Sequence, residues 1–209
     1  MIDNEAQAQA YVAGLCDAEA RERLGILAAE LTRENELQNL IARATVSTLW
    51  QRHIADSAQL LEFAGAHSVP WLDLGSGAGF PGLVIAAMRP ETPVILVESR
   101  KRRVDWLERA ATAMGLANCR VEGCRLELVD TFEAGIISAR AFAPLDRLLA
   151  LSARFSTSGT RWVLPKGRSA AQEVAGLPKN RRSMFHVEQS RTDPEAGIVV
   201  GTGKWSAKA

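Results

Sequence analysis

Three cysteines, three histidines and a single tyrosine are all that 209 residues hold of these types. Cys16, Cys119 and Cys124 are odd in number and form neither a C-x-x-C pair nor a Cys/His ligand spacing. That excludes a disulfide framework and any metal site of the familiar zinc kind, and fits a reducing, cytoplasmic setting. Long hydrophobic runs are also missing. No stretch approaches the roughly 20 apolar residues that span a bilayer, and Met1-Ile-Asp-Asn-Glu-Ala-Gln has neither the basic nor the apolar region of a secretory signal, so no membrane partner is expected. Overall excess charge is absent too, with 25 Lys and Arg against 24 Asp and Glu. The balance hides a split: 5 basic and 10 acidic residues up to position 69, then 20 and 14 beyond it. The later part of the chain therefore carries the positive potential, which suits a polyanionic partner.

What is present reads as one globular chain, 47% apolar and 23% charged. Residues 1–66 lack proline and place Leu24, Leu27, Leu31, Leu49, Ile54, Leu60 and Leu61 at helical spacing, predicting a helical N-terminal extension packed on the same domain. From Val69 short apolar runs alternate with helical stretches, the signature of βαβ units on a mostly parallel sheet. Strands are expected at Val69–Leu74, Val94–Val97, Arg120–Glu122, Gly135–Ser138 and Arg161–Leu164, and helices at Gly82–Met88, Arg103–Met114 and Leu145–Phe155, with Gly167–Arg182 a helix plus a surface loop. Met184–Glu188 and Ile198–Gly201 predict a C-terminal antiparallel hairpin. The fold class is α/β: a Rossmann-like, mostly parallel seven-stranded sheet in residues 67–209.

Trp71-Leu72-Asp73-Leu74 runs into Gly75-Ser76-Gly77-Ala78-Gly79, where alternate glycines after a buried strand let the backbone turn onto a nucleoside. Gly77, Gly79 and Gly82 also spell G-x-G-x-x-G, so a nicotinamide-dependent oxidoreductase is an open alternative. Asp73 tilts the balance, because a carboxylate opposes a pyrophosphate but can orient the cationic methionyl end of S-adenosylmethionine. Glu98 ends the next expected strand, placed to accept from ribose hydroxyls of either cofactor. Leu126, in Arg125-Leu126-Glu127, suits the edge and face of an adenine.

Ligands of open parallel sheets sit beyond the C-terminal strand ends, so a substrate would meet the cofactor near Ser138-Ala139-Arg140-Ala141-Phe142 and Pro165-Lys166-Gly167-Arg168. Neither an Asp/Asn-Pro-Pro-Tyr/Phe loop for an exocyclic amine nor a cysteine nucleophile for a pyrimidine carbon follows the fourth strand. A ring nitrogen with its own lone pair, such as guanine N7, needs neither. Arg140 and Lys166 suit a base or phosphate. Arg100, Lys101, Arg102 and Arg103 crowd a helix start where the macrodipole disfavours cations, which fits a phosphate track that Arg168 extends as well as it fits a solvated face.

Taken together, Asn35–Ile41, Arg52-His53-Ile54-Ala55-Asp56-Ser57, Asp73–Gly82, Ser138–Phe142 and Pro165–Gly167 resemble, in order, the GidB or RsmG family of small-subunit ribosomal RNA guanine-N7 methyltransferases. The resemblance covers roughly residues 20–205. It implies a class I methyltransferase fold, S-adenosylmethionine as cofactor and methylation of one guanine of 16S ribosomal RNA, free or in an assembling small subunit, by a monomer. It also implies cofactor contacts at Gly75, Phe80, Leu126, Glu127 and Arg140, and makes Arg52, His53 and Asp56 a motif near the pocket. A non-catalytic ribosome-binding factor of the same fold is the second alternative.

Overall fold

The computed structural model describes residues 1–65 and 69–206. The boundary expected between residues 66 and 67 lies outside the described residues. Two capped helices open the chain. Asn4 accepts from the Gln7 amide at the start of α1 (Glu5–Ala13), and Asp17 accepts from Ala20 at the start of α2 (Ala18–Leu37). Leu24, Leu27, Leu31 and Asn35 form the buried stripe of α2. There the expected helical run breaks: buried Asn35 accepts from the Leu40 and Ile41 amides through Oδ1, turning the chain without proline or glycine. A π-helical stretch, Trp50–Ala55, then leads into α3 (Asp56–Ala58) and α4 (Leu61–Ala64).

The sheet follows. Its strands are β1 (Trp71–Leu74), β2 (Val94–Val97), β3 (Cys119–Glu122), β4 (Ile136–Ala139), β5 (Arg161–Gly167), β6 (Phe185–Gln189) and β7 (Gly197–Thr202), ordered β3-β2-β1-β4-β5-β7-β6. Strands β1 to β5 pair in parallel, whereas β7 runs antiparallel to both β5 and β6. Alternation sorts the side chains: Trp71, Val94 and Leu96 enter the apolar layer shared with α2 and α5 (Gly82–Met88), and Leu72, Leu74, Ile95 and Val97 the opposite one. Helix α6 (Lys101–Ala113) packs on β3, and α7 (Leu145–Ser152) gives way to a 3-10 turn at Ala153–Phe155. The expected helix and loop of Gly167–Arg182 prove to be two short helices, α8 (Ala170–Ala175) and α9 (Lys179–Arg182). No helix of the described residues is long and apolar enough to cross a membrane.

Candidate functional site

The strand order reverses between β1 and β4, which opens a crevice at their carboxyl ends. Asp73 and Ser138 stand opposite each other there. The Ser138 hydroxyl donates to Asp73 Oδ1 at 2.7 Å and accepts from the Trp71 indole at 2.7 Å, while Asp73 Oδ2 accepts from the Gly82 amide at 3.3 Å. Asp73 is fully buried, and burial pushes its carboxyl above the usual range against the pull of Ser138, Ser76 and Gly82. Its side chain thus holds the glycine loop and the first turn of α5 from below and lines neither of the two cavities beside the crevice. A pyrophosphate would compete with that carboxylate for the Gly82 amide, which disfavours the dinucleotide reading.

On one side of the crevice lies a cavity of about 380 Å³ lined by Gly75, Glu98, Arg100, Arg103, Leu126 and Glu127, with the Ala141–Pro144 segment as its wall. Gly75 has φ +64°, and a Cβ there would lie 2.6 Å from the Phe142 ring, so only glycine lets the loop pass beneath that residue. Glu98 Oε1 accepts from the Ser99 and Arg100 amides at 2.8 and 2.9 Å, and Oε2 from the Gly77 amide at 3.2 Å. The carboxylate is thereby fixed at the strand end. Size, glycine floor, carboxylate and the apolar Leu126 fit the nucleoside end of S-adenosylmethionine. Gly77 and Gly79 shape the loop, at φ +56° and +100°, but do not line the cavity.

The other side is larger, about 780 Å³, and three ion pairs ring it. Arg52 meets Asp193 at 3.0 Å, Arg140 meets Asp56 at 3.8 Å and Lys166 meets Glu173 at 3.0 Å. Arg140 also donates to His53 Nδ1 at 3.0 Å, and His53 Nε2 lies 2.8 Å from the Thr45 hydroxyl, which donates to the Ala42 carbonyl. Because a guanidinium only donates, Nδ1 is the acceptor and Nε2 carries the proton. Burial, then the charges of Arg140 and Arg52, lowers His53 to about 3, so the ring is neutral. Phe80 does not reach the cofactor cavity as expected: it is buried, stacked on His53 at 5.1 Å and lying under the Arg140 guanidinium at 4.9 Å.

The remaining expectations divide. Lys166 lines the larger cavity, but its ammonium is committed to Glu173 and to the Ala143 carbonyl at 2.7 Å; it steadies the wall where a free substrate contact was expected. Arg100 and Arg103 line the smaller cavity, and Arg103 stands 3.8 Å from Glu98. Arg102 ties α6 to α2 through the Leu37 carbonyl. Arg168 pairs with Glu195, and Lys101 is exposed. The four-cation run is therefore divided between the smaller cavity, which Arg100 and Arg103 line, and the α2–α6 contact, which Arg102 makes. Thr45, Glu173 and Asp193 were not foreseen. Asp193 had a signal in Asp193-Pro194, since its Oδ1 accepts from the Glu195 amide in the hairpin loop. Thr45 had none.

Comparison with known proteins gives one consistent result. A family model described as GidB, rRNA small subunit methyltransferase G, matches residues 20–193. Ribosomal RNA small subunit methyltransferase G of Erythrobacter litoralis is 60% identical over 204 residues, 98% of this chain and 99% of that one. The protein of the same name from Novosphingobium aromaticivorans is 54% identical over 201 residues, 94% and 87% of the two chains. Among solved structures, a SAM-dependent methyltransferase from Aquifex aeolicus aligns with TM-score 0.58 at 14% identity, over 80% of this chain and 96% of that one, which speaks for the fold.

Proposed function

Because the chain belongs to the rRNA small subunit methyltransferase G family, we propose that its two cavities divide a methyl transfer to N7 of one guanine in 16S ribosomal RNA. The smaller cavity takes S-adenosylmethionine and the larger one the acceptor base. One observation carries this reading: the two cavities share a single wall, Ala141–Pro144, where β4 ends beside the glycine loop.

S-adenosylmethionine supplies an electrophilic methyl on sulfur; the N7 lone pair forms the new N–C bond as the C–S bond breaks toward sulfur, and no proton is lost. The protein's task is alignment. With the cofactor bound, Glu98 would accept from the ribose hydroxyls, Leu126 and the Glu127 backbone would hold the adenine, and Gly75 would let the methionyl end lie close to the backbone. Arg140, borne on the Phe80 ring and steadied by neutral His53, offers its remaining N–H groups to the base. Lys166 and Glu173 hold the wall, Lys166 on the Ala143 carbonyl and Glu173 on the Leu145 amide at 2.7 Å. The substrate is small-subunit RNA, free or assembling, met by a monomer in the cytoplasm.

Transfer of labelled methyl to 30S particles lacking the modification, with the position mapped by primer extension, tests the reading. Label at N7 of a single guanine is expected. Binding of the particles without label at saturating cofactor would favour a non-catalytic factor, and tight NAD binding with no response to S-adenosylhomocysteine would favour the oxidoreductase.

A further inference from the structure

Asp56 divides its carboxylate between two duties. Oδ1 accepts from the Thr192 hydroxyl at 2.7 Å and the Gln59 side-chain amide at 2.9 Å, which anchors it to the C-terminal hairpin. Among the described residues Oδ2 accepts no hydrogen bond; Arg140 Nη1 stands 3.8 Å away, and the side chain keeps 20% of its surface exposed at the wall of the larger cavity. Arg140 spends Nη1 on His53 and has Nε and Nη2 to offer. An anionic acceptor and a cationic donor thus stand side by side on one cavity wall.

Guanine presents the complementary order along its edge: N2–H and N1–H donors, then the O6 acceptor, then N7. Adenine inverts it, with an N1 acceptor and an N6–H donor. Along the protein the order is Asp56, then Arg140 in contact with it, then the wall shared with the cofactor cavity, bonded directly to Arg140 at Ala141. We propose that Asp56 is the specificity-determining residue for the acceptor, its Oδ2 receiving N1–H and N2–H of the guanine while Arg140 donates to O6 and N7 is left facing the methyl. This rests on the larger cavity being the acceptor site. A carboxylate that accepts a donor pair leaves unpaired buried groups when adenine enters, the strongest kind of rejection a site can make.

The test compares 30S particles reconstituted with 16S RNA carrying guanosine or inosine at the methylated position, inosine lacking only the N2 amine. The wild-type chain is expected to prefer guanosine by about tenfold in kcat/KM, the worth of one hydrogen bond to a charged acceptor. In Asp56→Asn the side-chain oxygen keeps Thr192 and Gln59, so the amide N–H groups meet N1–H. Transfer to guanosine should fall about a hundredfold, the guanosine preference should vanish, and S-adenosylhomocysteine affinity should stay within about twofold by calorimetry. A merely structural Asp56 would lower both substrates alike, and a preserved guanosine preference in Asp56→Asn overturns the proposal. Ala196→Trp, which fills the same cavity from the hairpin loop, separates the two layers of inference. If Ala196→Trp methylates normally, the cavity itself is misassigned; if it is inactive while Asp56→Asn keeps the preference, only the role of Asp56 is wrong.

Discussion

Arg140 and His53 meet across 87 residues of sequence through one hydrogen bond of 3.0 Å, guanidinium to imidazole Nδ1. The bond exists only while the ring is neutral. A protonated His53 would put a second cation against Arg140 in a buried place, and burial together with Arg140 and Arg52 keeps its folded value near 3.

This arrangement has a pH signature. His53 titrates near 6.5 in the unfolded chain and near 3 in the folded one, so between those values the unfolded state holds the extra proton. Stability from this residue is complete above about pH 6.5 and drains away as pH falls toward 3, by about 1.4 kcal/mol per pH unit. Urea unfolding of the wild type and of His53→Gln, which can still accept from Arg140 and donate to Thr45, should diverge in slope within that window. Parallel curves would mean that His53 is protonated in the folded protein.

Ser138→Ala tests the floor of the crevice. The hydroxyl serves the Trp71 indole and Asp73 at once, and all three groups are buried. Removing it orphans a donor and a carboxylate oxygen together, a cost of about 2–4 kcal/mol. Denaturant unfolding with an unchanged m-value should report it. A loss below about 0.5 kcal/mol would show that the pair relaxes onto other partners.

Gly77→Val tests the loop. At φ +56° a β-branched residue is strained, and the Gly77 amide is the one that steadies Glu98 Oε2. S-adenosylhomocysteine affinity should drop about tenfold or more, equivalent to about 1.4 kcal/mol, with the far-ultraviolet circular dichroism retained. Unchanged affinity would detach this loop from the cofactor.

Lys166→Met tests the wall. Without the ammonium, the Ala143 carbonyl and Glu173 lose their common partner, and the Ala141–Leu145 segment keeps only the Glu173 bond at Leu145 of its two ties. Misalignment penalises the chemical step above all, so kcat should fall about tenfold or more while S-adenosylhomocysteine affinity moves within about threefold. Equal losses in both would argue that the wall serves cofactor binding alone.

The sheet was legible because its signals are local. Val94–Val97 is a continuous apolar run and Trp71–Leu74 is broken only by Asp73; both are too short for a helix and are bounded by turn residues, with Gly75 to Gly79 punctuating the first of them. Val94–Val97 and Gly82–Met88 have the expected ends, and the others differ by at most three residues, as in β5, which continues through Gly167. The larger cavity was less legible, since its polar groups come from distant segments. Nothing in the sequence of Thr45, Asp56 or Asp193 says that the stretch from Thr45 to Asp56 and the loop between β6 and β7 converge. Asp73 has two roles that its sequence cannot separate: a carboxylate two residues before a glycine is equally spaced for a ligand and for the Gly82 amide, and the register against Ser138 shows the second.

The pairing of Asp56 with Thr192, and of Arg52 with Asp193, sets an order of events during synthesis. Every residue named for the smaller cavity precedes position 152, and only the braces of its wall, Lys166 and Glu173, come later. The larger cavity waits for residues 190–198, the last of its lining to leave the exit tunnel. A ribosome making this protein therefore releases the parts of the larger cavity from both ends of the chain, and that cavity is unfinished until the hairpin has folded.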